Sequence, residues 1–398
     1  RLQRSTAVTS RASGAGEREG GSQLPVWSGI TPKRPAATTP TIAHLVDDLN
    51  DEQYAAVTHG EGPLLVVAGA GTGKTQVITR RVAWLIAEKR AEPEEILALT
   101  FTERAAEEMQ GRVDRLVPYG YATTPIKTFH AFGDELLRAN AHRLGLSGEL
   151  RVLGRAEVVL LLREHLFELG LKRFLPLGDP TRFLGDIAGY FSRAKDEALG
   201  PDELQTFAAD LQARAAEARS AASTTADLEL QRNLASYADA VDLLATEHGE
   251  LSAALRTYRT ILNERGLLDF GDQVLRAYEL LRDDASLAGH YRERFTHVLV
   301  DEFQDTDPVQ WRLLQRAFGD RVNHLLLLVG DPKQAIYRFR GGDLGTYLEA
   351  RQQVDRIDHL LDNFRATASL MEGLNKLMEP GMPRSGLAIP AVRAQAVD

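Results

Sequence analysis

Leu64-Leu65-Val66-Val67-Ala68-Gly69-Ala70-Gly71-Thr72-Gly73-Lys74-Thr75 is an apolar run that breaks into a glycine-rich turn and ends on a lysine and a threonine. The run reads as a buried strand, and Ala68, Gly69, Ala70, Gly71, Thr72, Gly73, Lys74 and Thr75 as a loop opening a helix. The first N–H groups of a helix have no carbonyl partners, so they face an anion, and Lys74 adds positive charge. Thr75 is placed to hold a magnesium ion. An ordinary strand-to-helix turn with a surface lysine can present the same pattern, and here its first position is Ala68 rather than glycine. A second segment discriminates: Val298-Leu299-Val300-Asp301-Glu302 is another apolar strand, ending in two carboxylates. Asp301 can hold the metal, usually through water, and Glu302 can orient and deprotonate an attacking water. The pair predicts a nucleotide-phosphate site that hydrolyses as well as binds.

Further apolar runs at Ile96 to Phe101, Ile126 to Phe129 and Leu325 to Gly330, most followed by helical patterns, predict an α/β fold with a parallel sheet covered by helices. Between about 150 and 262 the pattern changes to Ala, Leu, Glu and Arg at helical spacing, which predicts an all-helical insertion. Ala208 to Ala254 shows no sustained heptad with charged flanks, so ordinary helix packing is expected there. The two nucleotide-binding segments then belong to one sheet interrupted in sequence.

Composition bounds the function classes. The chain has 398 residues, 43% hydrophobic and 26% charged, enough for two or three domains. It has no cysteine, which excludes a disulfide framework and a thiolate metal site. No apolar run is long enough to span a bilayer, so no membrane partner and a cytoplasmic location are expected. The net charge of −9 excludes a uniformly basic coat but not a local basic groove. Residues 1–47, rich in Ser, Thr, Gly, Ala and Pro, are expected to form a disordered tail.

More segments follow in series: Leu49-Asn50-Asp51-Glu52-Gln53; Thr100-Phe101-Thr102-Glu103-Arg104; Thr128-Phe129-His130; Asp301-Glu302-Phe303-Gln304-Asp305; Gly330-Asp331-Pro332-Lys333-Gln334-Ala335-Ile336-Tyr337-Arg338-Phe339-Arg340-Gly341-Gly342; and Asp362-Asn363-Phe364-Arg365. In this order they resemble the superfamily-one DNA helicases of the UvrD, Rep and PcrA type and their RecB and AddA relatives. The resemblance covers about 48 to 378 and leaves the branch open.

It implies a RecA-like P-loop domain in two parts, 48–150 and 263–355, around a helical insertion at 151–262, and the start of a second RecA-like domain at 356–398. ATP and Mg2+ are the implied cofactors. Gln53 is implied to read adenine, Phe364 to cover its face, Gln334 to sense the γ-phosphate and Arg365 to stabilise charge on it. Phe101, Thr128, His130, Tyr337, Phe339 and Arg340 are the implied contacts to single-stranded DNA, or to a duplex with a single-stranded tail. Aromatic faces accept any base, at about 1–3 kcal/mol per stacked base, although Tyr337 and Phe339 can also be read as core residues. More weakly, Ser192 to Glu197 resembles a Lys-containing stretch of the helical domain and Leu268 to Asp272 the segment where the chain re-enters the sheet domain, although either can be read as a solvated helix end with acidic caps.

The function so implied is a 3′-to-5′ DNA helicase and translocase with repair or helicase-nuclease partners. The 356–398 segment is too short for a second sheet domain with its own core, so an amino-terminal portion unable to unwind alone is expected. Two alternatives stand beside it: a helicase-nuclease subunit of the RecB or AddA type, and a nucleotide-binding module without motor activity.

Overall fold

The computed structural model describes residues 43–60, 62–117, 124–144, 150–319, 325–336 and 341–378. Six strands form one sheet: β1 (Leu64–Ala68), β2 (Ile96–Thr100), β3 (Ile126–Thr128), and, after the insertion, β6 (His297–Val300), β7 (Leu325–Gly330) and β8 (Arg356–Leu360). Their order is β3-β2-β6-β7-β1-β8, with every neighbouring pair parallel. A separate parallel pair, β4 (Arg151–Leu153) with β5 (Leu267–Asp269), closes the base of the insertion.

Alternate residues along each central strand enter different cores. Leu65, Val67, Val298, Val300 and Leu328 face one cluster, whereas Leu64, Val66, Leu299, Leu327 and Val329 face the other. Burial on both faces is why these strands read as unbroken apolar runs rather than alternating ones. The second cluster is covered by α1 (Ala43–Val46), α2 (Asp51–Thr58), α3 (Lys74–Ala87) and α4 (Glu103–Leu116). The first is covered by α5 (Phe129–Ala139) and, beyond the insertion, by α10 (Phe270–Asp283), α11 (Ala285–Arg294), α12 (Pro308–Phe318) and α13 (Leu344–Gln353). The helix α14 (Ala368–Met378) follows β8.

The insertion comprises α6 (Arg155–Glu164), α7 (Leu184–Asp196), α8 (Pro201–Thr224) and α9 (Leu228–Glu264), with a core of its own around Leu162, Phe191, Leu255 and Tyr258. Helices α8 and α9 run antiparallel: Ser252 Oγ donates to the Pro201 carbonyl at 2.7 Å, and Arg219 pairs with Asp242 at 3.0 Å. Small residues, Ala215 and Ala245, fill their contact between Leu211 and Val241. Ser192 to Glu197 and Leu268 to Asp272 meet in the interior, which rules out the solvated-end reading of them. Lys195, fully buried, pairs with Asp269 at 2.5 Å and Asp272 at 2.8 Å, and Tyr258 donates to Asp269 at 2.9 Å. This buried charge cluster joins α7 and α9 of the insertion to the start of α10.

Two expected boundaries move. Of the tail expected over 1–47, residues 1–42 lie outside the described residues, whereas 43–47 are structured: α1 buries Leu45, and Arg80 holds this stretch through the His44 carbonyl and Asp48. Residues 356–360, expected to open a second domain, are the edge strand of the first sheet, paired along their length with β1. Their half-buried polar residues, Asp358 and His359, conceal a strand that apolar patterning would have detected. Among the described residues, no helix is long and apolar enough to cross a membrane.

Candidate nucleotide and nucleic-acid sites

At the carboxyl end of β1 the chain turns through Gly71 at φ 82° and Gly73 at φ 91°, both left-handed, and enters α3 at Lys74. Glycine is required here for space as well. A Cβ on Gly71 would lie 2.8 Å from the Asn363 side-chain oxygen, and one on Gly73 would lie 2.6 Å from the Gln53 amide nitrogen.

Three contacts brace the loop from outside. Gln53 Nε2 donates to the Thr72 carbonyl at 3.0 Å, Asn363 Nδ2 to the Ala70 carbonyl at 2.8 Å, and the Phe364 N–H to the Gly71 carbonyl at 2.9 Å. Gln53 is held by a capping box with Asn50, and it is 1% exposed. Its amide therefore supports the phosphate loop, a contact the expected adenine-reading role did not include. Asn50 also donates to Asp362 at 2.7 Å, and Glu52 accepts from the Leu361 N–H at 2.8 Å, tying α2 to the segment after β8. Phe364 stands 64% exposed beside the loop, and Arg365 follows it, also exposed.

Strand β7 lies between β1 and β6, so the turn after Gly330 sits between the phosphate loop and the acidic pair. The distant residues converge there: Thr75, Asp301, Glu302, Gln304, Asp305 and Gln334 line one cleft of about 530 Å3. Lys74 Nζ contacts Glu302 Oε2 at 2.7 Å and Gln334 Oε1 at 3.3 Å. Glu302 adopts φ 49° and ψ 43°, a left-handed conformation uncommon for a side-chain-bearing residue, which turns its carboxylate back toward Lys74.

Asp301 is pushed up to about 7, first by burial and then by the adjacent Glu302 charge, against the opposing pull of Lys74. Burial and Glu302 likewise raise Asp305 to about 6. A buried acidic group beside a hydroxyl offers hard oxygen donors, the set that suits Mg2+. Thr75 and Asp301 are the residues that fit such an ion, which when bound would neutralise phosphate charge.

A larger cleft of about 800 Å3 opens between the sheet domain and the insertion, lined by Phe101, His130 and Phe270 with Arg155, Arg193 and Asp196. Phe101 borders both clefts, at the end of β2. His130 meets Phe270 edge-to-face at 6.1 Å, and burial holds its imidazole below the usual range against the raising effect of Glu103. Thr128 is not part of this wall. It is 4% exposed, caps α5 through the Ala131 N–H and donates to Glu103 at 2.7 Å. Tyr337, Phe339 and Arg340 lie outside the described residues.

The large cleft also carries acidic groups. Asp196 is pushed up to about 7, first by burial and then by Glu197 and Asp269, against Lys195 and Arg193. The folded protein thus holds this proton more tightly than an unfolded chain, whose aspartates titrate near pH 3.9, so the associated stability is lost as pH rises from about 4 through about 7. Asp196→Asn removes that titration. Its stability relative to the parent is expected to rise across this window by on the order of 1–2 kcal/mol. Urea melts at several pH values measure this, and a difference constant with pH contradicts it.

Phosphate loop, acidic strand end and parallel sheet together define a P-loop nucleoside-triphosphate domain. The chain belongs to the UvrD/REP helicase family, since residues 49–355 match the UvrD/REP helicase N-terminal domain. It is 30% identical to DNA helicase II of Escherichia coli strain K12 over 350 residues, which cover 87% of this chain and 42% of that protein. It is 31% identical to the ATP-dependent DNA helicase PcrA of Bacillus subtilis strain 168 over 339 residues, 84% of this chain and 40% of that one. The chain thus spans about two fifths of the length of the curated relatives it matches.

Gln304, Asp331 and Asn363 carry contacts in the site that sequence reasoning had not assigned. Only their position within the quoted motifs marked them, because a buried amide bridging two loops has no periodic signature.

Proposed function

We propose that this chain is the ATP-hydrolysing amino-terminal part of a cytoplasmic DNA helicase that tracks single-stranded DNA in the 3′-to-5′ direction. Lys74 and the loop amides bind the triphosphate, Thr75 and Asp301 hold Mg2+, Glu302 takes the proton of the attacking water, and Gln334 contacts the γ-phosphate. Phe101, His130, Tyr337, Phe339 and Arg340 meet the DNA, Phe364 covers the adenine, and Arg365 serves the phosphates. The observation that carries this reading is the position of Phe101, which borders both the nucleotide cleft and the cleft beneath the insertion. A shift of β2 on nucleotide binding would therefore reach both.

Translocation needs two domains that exchange their grip on DNA as nucleotide turns over. These 398 residues alone are accordingly expected to bind ATP, to contact single-stranded DNA weakly and to unwind little. ATPase assays with and without single-stranded DNA, paired with strand displacement on a 3′-tailed duplex, test this. Robust ATP-dependent unwinding by this chain alone would refute the limit, and nucleotide binding indifferent to DNA would favour a module without motor activity.

A further inference from the structure

Five residues around the nucleotide cleft form a closed hydrogen-bonded ring. Lys74 Nζ contacts Glu302 Oε2 at 2.7 Å, and Gln304 Nε2 donates to the same oxygen at 2.9 Å. The other end of that amide, Gln304 Oε1, accepts the Asp331 backbone N–H at 2.9 Å. Asp331 Oδ2 in turn accepts from Gln334 Nε2 at 2.9 Å, and Gln334 Oε1 returns to Lys74 at 3.3 Å.

Gln304 is the one neutral side chain in this ring that joins the loop after β6 to the turn after β7. It is 2% exposed, and the backbone allows no bulk beside it: a Cβ on Gly330 would stand 2.7 Å from Gln304 Oε1. An amide is the group this position needs. It must donate to a carboxylate and accept from a backbone N–H at once, which neither a carboxylate nor an apolar chain can do.

We infer that Gln304 is a positioning residue that sets the carboxylate of Glu302 and couples it to the turn bearing Gln334. A γ-phosphate that takes Lys74 competes with both Glu302 and Gln334 for the same ammonium. The Gln304 bond to Glu302 Oε2 does not involve Lys74, so it persists through that exchange and keeps the carboxylate aimed at the water. The link to Asp331 passes any displacement of Gln334 back to Glu302. This inference rests on the roles proposed above for Glu302 and Gln334.

The test uses the full 398-residue chain and Gln304→Met, which keeps side-chain length and loses the bonds to Glu302 and Asp331 together with a longer one to Asp305 Oδ2 at 3.4 Å. Removing a group that orients a catalytic residue costs about 10- to 100-fold in activity. The expected result is a fall in kcat of that size with KM for ATP changed less than about threefold, since no phosphate contact is lost. Amide hydrogen exchange supplies a readout independent of turnover. Addition of Mg2+ and a non-hydrolysable ATP analogue is expected to raise protection of residues 331–336 in the parent and not in Gln304→Met, although both bind the analogue. Equal protection in the two proteins, or an unchanged kcat, overturns the inference, as does a general loss of protection showing that the variant is merely unstable. Lys74→Ala measured alongside separates the two readings. If it leaves analogue affinity unchanged, the proposed nucleotide site itself fails, whatever Gln304→Met does.

Discussion

Lys74→Ala is expected to lower nucleotide affinity about 100-fold or more while the domain stays folded. Hydrogen bonds to charged groups contribute about 1.5–3 kcal/mol each, and a lysine held against phosphates makes more than one such contact. Lys74 is 8% exposed and sits at the first turn of α3, where the loop amides remain to attract the anion but cannot neutralise it. Loss of the ammonium also removes a cation that opposes the upward shifts of Asp301 and Asp305, leaving only Arg112, a weaker cationic pull, on Asp301. Those carboxyls are then held still higher, and the site becomes less hospitable to Mg2+. Titration calorimetry with a non-hydrolysable analogue and Mg2+ measures the loss, and a circular-dichroism melt checks the fold. Affinity within about threefold of the parent contradicts the assignment of Lys74.

Glu302→Gln is expected to separate binding from turnover. Loss of a positioned general base costs about 10²- to 10⁴-fold in rate. Affinity should hold or rise, because the carboxylate that competes for Lys74 at 2.7 Å is gone and one negative charge fewer faces the triphosphate. Single-turnover hydrolysis and equilibrium binding, measured separately, decide it. Hydrolysis at the parent rate moves the base elsewhere; Asp305, which lines the same cleft and has no metal role proposed for it, is an alternative acid.

The sheet and the glycine-rich loop were legible in the sequence for a physical reason. Strands buried on both faces leave continuous apolar runs, and Leu64–Ala68 and Leu325–Gly330 are observed at the limits their runs suggest. A loop that must bend through left-handed glycines next to an anion leaves Gly71, Gly73 and Lys74 at fixed spacing. Strand β8 was not legible, because an edge strand with Arg356, Asp358 and His359 along it has no such run. Gln53 and Thr128 show a further limit. Sequence places each at its motif, but only coordinates reveal that Gln53 spends its amide on Thr72 and that Thr128 caps a helix. The re-entry of the chain into the sheet domain at Leu268 to Asp272 was legible by resemblance, but the buried pairing of Lys195 with Asp269 and Asp272 was not, since charged residues at helix ends are ordinarily solvated.

In the proposed function, Lys74, Thr75, Asp301 and Glu302 serve one magnesium-bound triphosphate. A crystal structure of the chain with Mg2+ and a non-hydrolysable ATP analogue tests this most directly. The prediction is that the phosphates lie on the amides of Gly71 to Thr75, with Lys74 moved from Glu302 onto the γ-phosphate and the metal between Thr75 and Asp301. A triphosphate bound elsewhere, with the Lys74 and Glu302 pair intact, would contradict it.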